Sequence, residues 1–254
     1  HTRSAHVSGL GDVYKRQVDS GVNVHEGIEV EQRVDLADEH HISVNFEDPN
    51  GHGTGIAGMI NGQKEKGQLS GVADNVALYS VKVLDQDNTT PVSRLIEGIY
   101  WCIENEMDVI NLSLGCSYDS EALAAAVQDA AKAGIILVAA AGNVGDDASL
   151  EYPAAYDDVI AVGASNEYNQ VSSFTSGKEQ IDVMAPGEKI WTYSMLGGYV
   201  AVDGTSIATA QVTGAVARIL QVRKEADTEY VRKLLQISSV RSEQSQYAGV
   251  LNVR

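Results

Sequence analysis

From Asn75 onward the chain alternates short apolar runs with helical stretches, and this rhythm limits it to few architectures. Val76 to Leu84, Val109 to Leu114, Ile135 to Ala140 and Val159 to Gly163 read as strands, with helices at Ser93 to Glu106 and Ser120 to Ala133. Near-continuous apolar strands separated by helices indicate βαβ units and a mostly parallel sheet covered on both faces. The expected fold is therefore α/β: a doubly wound, three-layer αβα domain. With 254 residues, one such domain is the default. Ile181 to Met184 reads as a further strand, and Ile190 to Tyr193 with Tyr199 to Val202, around Leu196-Gly197-Gly198, as an antiparallel hairpin. The helix after Gly204 carries Ala208, Ala210, Gly214, Ala215 and Ala217, so little bulk stops it running through the middle of the domain. An amphipathic helix over Asp227 to Ile237 and the segment Ala248 to Asn252 close the chain.

A formal charge of -17 argues against a nucleic-acid footprint, which needs a basic stripe, and no run of eighteen apolar residues offers a membrane span. The only cysteines, Cys102 and Cys116, build no disulfide framework, although a single bridge between them is conceivable. Asp12-Val13-Tyr14-Lys15-Arg16-Gln17 reads like the in-frame translation of a transposase adaptor end used in library preparation. Residues 1–17 are accordingly expected to be a foreign scar and residues 18–254 the native domain, truncated at its N-terminus. Lys15 and Arg16 suit a central parallel strand poorly, so whatever chemistry the strand ending at Asp19 supports is expected to be weak in the chain as it stands.

Three segments far apart bring an acid, a base and a nucleophile in the order Asp, His, Ser: Val18-Asp19-Ser20-Gly21, Gly51-His52-Gly53-Thr54 and Gly204-Thr205-Ser206-Ile207-Ala208. A serine hydroxyl needs a neutral imidazole to take its proton and a carboxylate to hold that imidazole in the right tautomer. In an open parallel sheet, a strand-terminal Asp19 and helix-opening His52 and Ser206 would converge at the carboxyl ends of the strands. Asn143, after the apolar run Ala139-Ala140-Ala141-Gly142, is the candidate oxyanion donor together with the Ser206 backbone N–H. The plainer readings are a buried hydrogen-bonded histidine, an N-cap serine and an asparagine in a left-handed turn. Gly53 to Gly58 also satisfies a dinucleotide fingerprint, but the polar Phe46-Glu47-Asp48-Pro49-Asn50 stands where that motif needs a strand. His40, His41, His52 and Asp48 read as a solvated turn rather than a metal site.

From Val18 to Asn252 the chain resembles the subtilase family of serine proteases. The resemblance rests on Gly51-His52-Gly53-Thr54-Gly55-Ile56-Ala57-Gly58, Asn111-Leu112-Ser113-Leu114-Gly115, Tyr152-Pro153-Ala154, Asp182-Val183-Met184-Ala185-Pro186-Gly187 and the Ser206 segment. It implies a subtilisin-like fold and a serine endopeptidase acting through an acyl-enzyme. Asp19, His52 and Ser206 would be the triad, and Ser113, Leu114 and Gly115 would pair with the extended substrate. Where the family usually has Met, Pro and His, this chain has Ile207, Ala210 and Gln211, none of them a proton-transfer position. Glu151, before Tyr152-Pro153, falls at the base of the first specificity pocket. There it would favour Lys or Arg before the scissile bond, unless its loop turns it outward. Cys116 either lines that pocket or is a small buried side chain. The resemblance implies no required cofactor, a structural calcium with Gln63 and Glu65 as candidate oxygen donors, a peptide or protein substrate, and a monomer. It also favours a secreted or cell-envelope location, with the cytoplasm as the alternative. A non-catalytic, subtilase-like binding domain is the competing function.

Overall fold

The apolar runs become the middle of one nine-stranded sheet, in the order β10-β11-β7-β6-β5-β4-β1-β3-β2. The computed structural model describes residues 14–37, 47–63, 69–145, 148–240 and 248–251, and side chains from Val18 onward. In chain order the elements are β1 (Tyr14–Asp19), β2 (Gln32–Asp35), α1 (His52–Asn61), β3 (Ala77–Lys82), α2 (Val92–Glu104), β4 (Val109–Leu112), α3 (Glu121–Lys132), β5 (Ile136–Ala140), β6 (Val159–Ser165) and β7 (Val183–Pro186). They are followed by β8 (Ile190–Tyr193), β9 (Tyr199–Val202), α4 (Thr205–Val222), α5 (Thr228–Ser238), β10 (Ser239–Val240) and β11 (Val250–Leu251). Every neighbouring pair in the large sheet is parallel except β10 with β11, and β8 and β9 form a separate antiparallel pair.

Side-chain alternation along the strands divides the core into two layers. Ile110, Leu112, Leu137 and Ala139 pack with α2 and α3 residues such as Ile99, Leu123 and Val127. Their neighbours Val109, Ile136 and Val138 pack with α4 and α5 residues such as Val212, Val216 and Val231. The buried strands are apolar throughout because each face is covered, as the αβα expectation requires. Truncating a fully buried side chain such as Leu137 to Ala is expected to cost about 2–5 kcal/mol.

Helix α4 does run through the middle, buried at Ile207, Ala208, Val212, Gly214, Val216 and Ala217 among others. A Cβ at Gly214 would lie 2.5 Å from the Val72 Cβ, so only glycine allows this approach. Ser113 and Leu114, expected inside a strand, instead leave the sheet after Leu112. Two short elements, β2 and β10, lack an apolar run and carry no alternation in sequence from which they could be read.

Strand β1 lies between β3 and β4, with Val18 opposite both Val81 and Leu112. The chain therefore leaves β1 toward β3 and β2 on one side and continues from β4 toward β7 on the other. Such a reversal of strand order opens a crevice at the carboxyl ends of the flanking strands. Asp19 ends β1 and Ser113 follows β4, so both stand at that opening. Both cysteines are free, which removes the conceivable bridge.

Candidate active site

Helix α1 docks its first turn onto the end of β1. At Gly53 there is no space for a side chain: a Cβ would lie 2.0 Å from the Gly21 carbonyl oxygen. The Gly53 N–H donates to Ser20 Oγ at 3.0 Å. Asp48 accepts from the Gly51 N–H at 2.9 Å and the Thr54 N–H at 2.7 Å, satisfying donors that a helix N-terminus otherwise leaves open. His52 is thereby aimed at Asp19, 33 residues earlier, and donates from Nδ1 to Asp19 Oδ1 at 2.7 Å. The same oxygen accepts from the Ser20 N–H at 2.7 Å, while Oδ2 is buried with no hydrogen-bond partner among the described residues. Burial alone would lower the His52 pKa. The Asp19 charge and hydrogen bond, with a contribution from the Asp48 charge, outweigh it and hold the imidazole above its ordinary value.

Ser206 is the second residue of α4, where the backbone N–H groups of a helix N-terminus are unpaired. Its hydroxyl donates to the Ser113 carbonyl at 3.1 Å, and the Ser113 hydroxyl returns a bond to the Ser206 carbonyl at 3.0 Å. Behind this pair, Asn111 Nδ2 donates to Ser113 Oγ at 2.9 Å and Thr213 Oγ1 donates to Asn111 Oδ1 at 2.9 Å, all buried. Asn143 Oδ1 accepts from the Thr205 N–H at 2.9 Å and the Thr205 hydroxyl at 3.0 Å. That leaves its Nδ2 as the group to donate outward. The left-handed turn belongs to Gly142, at φ 106°, and not to Asn143.

His52, Ser113, Gly115, Asn143, Glu151 and Ser206 line one cavity of about 530 Å³, as does Leu114. Asp19 lies beneath it, reached through His52. Glu151 points inward rather than to solvent. Its backbone N–H bonds the Ala141 carbonyl at 3.0 Å, and Cys116 and Tyr152 exchange two backbone bonds. The carboxyl group is thereby inserted between Gly115 and Gly142, where a Cβ would fall 2.5 Å and 2.6 Å from it. Burial raises the Glu151 pKa, and no cation pairs with it among the described residues. Cys116 also lines the cavity, half-buried; burial and then the Glu151 and Asp119 charges push its thiol upward.

Gln63 gives its amide nitrogen to Asn61 and to the Asp74 carbonyl, at 2.7 Å for the latter. Glu65, His40 and His41 lie outside the described residues. Among the described residues no three His, Cys, Asp or Glu side chains gather as a metal site. No described helix is long and apolar enough to cross a membrane.

Sequence reasoning treated Asp48 only as part of a solvated turn and did not single out Ser20, Asn111 or Thr213. Asp48 carried one usable signal, a carboxylate shortly before a helix start. The others take on a role only through contacts made across the fold.

The chain matches the family described as the subtilase family, peptidase S8, over residues 18–252. It is 42% identical over 214 residues to a subtilisin of Bacillus pumilus, covering 82% of this chain and 78% of that one. It is also 40% identical over 192 residues to the major intracellular serine protease of Bacillus subtilis (strain 168), covering 74% of this chain and 59% of that one. Across such relatives the chain spans from 32% to 78% of their length. Among solved structures, a cold-adapted subtilisin-like serine proteinase superimposes with a TM-score of 0.85 at 30% identity, covering 100% of this chain and 93% of that one.

Proposed function

The chain belongs to the subtilase family of serine endopeptidases, and on that premise we propose that Asp19, His52 and Ser206 are its catalytic triad, with Asn143 and the Ser206 N–H as its oxyanion hole. Ser206 Oγ attacks the scissile carbonyl as His52 Nε2 takes its proton. Asp19 holds Nδ1–H and stabilises the imidazolium, which then protonates the leaving amine. Water, deprotonated by the same imidazole, releases the acyl group. Asn143 Nδ2 and the Ser206 N–H bind the oxygen that becomes negative.

The observation that carries this reading is the 2.7 Å bond between Asp19 and His52, opening onto the cavity that Ser206 and Asn143 also line. The Ser206 hydroxyl rests on the Ser113 carbonyl, a loose arrangement of the kind substrate-free sites often have before they tighten around a ligand. A fluorophosphonate probe tests the proposal. Labelling of the parent and none of Ser206→Ala is expected; an unlabelled parent would favour the non-catalytic binding domain.

Glu151 supports a preference for Lys or Arg before the scissile bond, because an unpaired, half-buried carboxylate in the cavity gains most from a cationic partner. Profiling Glu151→Gly against peptide libraries should abolish the preference, and an unchanged profile would retire it. The match beginning at Val18 supports the reading of residues 1–17 as foreign. Replacing them with an apolar strand before Asp19 is expected to raise turnover, and equal rates would show the segment to be harmless.

A further inference from the structure

His52 stands near two buried carboxylates, and only one of them touches it. Asp48, 2% exposed, gathers three donors: Ser20 Oγ at 2.8 Å and the Gly51 N–H at 2.9 Å on Oδ1, and the Thr54 N–H at 2.7 Å on Oδ2. Ser20 Oγ also lies 3.2 Å from Asp19 Oδ1. One hydroxyl, with one proton to give, therefore joins the acid that holds His52 to the acid that caps the helix on which His52 sits.

Placing two anions this close in a poorly solvated interior is unfavourable unless each collects donors or faces a cation. A carboxylate can accept at both oxygens, as Asp48 does, whereas an amide would turn its NH2 toward one of these donors. The carboxylate also brings a charge, and the cation that would form nearby during proton transfer is the His52 imidazolium.

We propose that Asp48 is a positioning residue for the general base: it fixes the first turn of α1, orients Asp19 through the Ser20 hydroxyl, and lends its charge to the imidazolium. The inference rests on His52 acting as the base. Among the described residues, the other ionisable groups around this cluster include Glu47 beside Asp48, Lys82 at the end of β3, whose ammonium donates to the Glu47 carbonyl at 2.7 Å, and Glu151 and Asp203 across the cavity. The Asp48 charge contributes to raising His52, after that of Asp19.

The test is an NMR titration of the His52 imidazole, assigned by its absence in His52→Ala, in the parent and in Asp48→Asn, alongside the kcat and KM of each. Asp48→Asn is expected to lower the imidazole pKa by about half to one unit. It should also move the acidic limb of kcat the same way and reduce kcat about tenfold, with KM within about twofold. An unmoved titration would overturn the proposal even if kcat fell, since loss of a helix cap alone would do that. Should Asp48→Asn not fold, Ser20→Ala decides: it leaves both carboxylates and should lower kcat several-fold at unchanged KM, whereas a kcat equal to the parent's would overturn the bridge. A parent that titrates as described but turns over no peptide would count against the protease reading alone.

Discussion

The two halves of the site are held in different ways. The proposed acid–base half, from the end of β1 and the start of α1, is already assembled: His52 is bonded to Asp19, and Asp48 and Ser20 brace both. The proposed nucleophile half, from the end of β4 and the start of α4, is parked, with the Ser206 hydroxyl on a backbone carbonyl. The difference follows from charge. A carboxylate 1% exposed, as Asp19 is, is costly to bury unless the fold brings donors to it, as Ser20 and His52 do at Oδ1. A neutral hydroxyl loses only about 1 kcal/mol when it exchanges one acceptor for another. In the proposed mechanism, substrate would then need to turn one side chain and not assemble the Asp19–His52 pair.

The variant that cuts deepest into this contrast is Ser206→Ala, for which kcat should fall about 10⁶-fold, the magnitude established for subtilisin itself. Asp19→Asn strikes the assembled half; it leaves the shape but inverts the imidazole tautomer, and about 10⁴-fold is expected, again as in characterised triads. Asn143→Leu removes one oxyanion donor and should lower kcat about 10²- to 10³-fold with little change in KM, a range that also comes from subtilisin. Ser113→Ala removes the hydroxyl on the Ser206 carbonyl but keeps the backbone oxygen on which Ser206 rests. It should cost less than about tenfold; a loss as large as that of Asn143→Leu would mean the parked half is as tightly held as the other.

The smallest effect is read from pH. The proposed base, His52, can take a proton only when neutral, and its pKa is raised, so activity should fall as pH drops through a value above the free imidazole's 6.5. In the same variants, a stopped assay over pH 5 to 9 checks the sign. The linked stability runs the opposite way: the charged pair's contribution is complete below 6.5 and disappears as pH rises through the raised folded value. The Glu151 pKa is raised as well, so the proposed discrimination for Lys and Arg should fade as pH falls, starting at a pH above the ordinary glutamate range.

Much of this architecture is legible in local pattern. Val109, Ile136, Val138 and Val162 announce two-sided burial by being apolar in succession. The small residues of α4 announce a helix that must pass close to its neighbours, as Gly214 does against Val72. Boundaries were less legible: Ser113 continues an apolar strand in sequence but leaves the sheet in space, because its hydroxyl and carbonyl both engage the first turn of α4. The Glu151 side chain was readable as an acid near a pocket, yet its inward direction depends on backbone bonds to Ala141 and on the glycines at 115 and 142.

Residue types and their order determined that an acid, a base, a hydroxyl and an amide would stand on a doubly wound sheet, since short-range periodicity and small-residue spacing are written along the chain. Tertiary structure alone decided which carboxylates are drawn out of water and what they meet. Asp19, Ser20, Asp48 and His52 are joined by contacts spanning 28 to 33 positions, and the energy of such contacts depends on burial and direction, which no local pattern encodes.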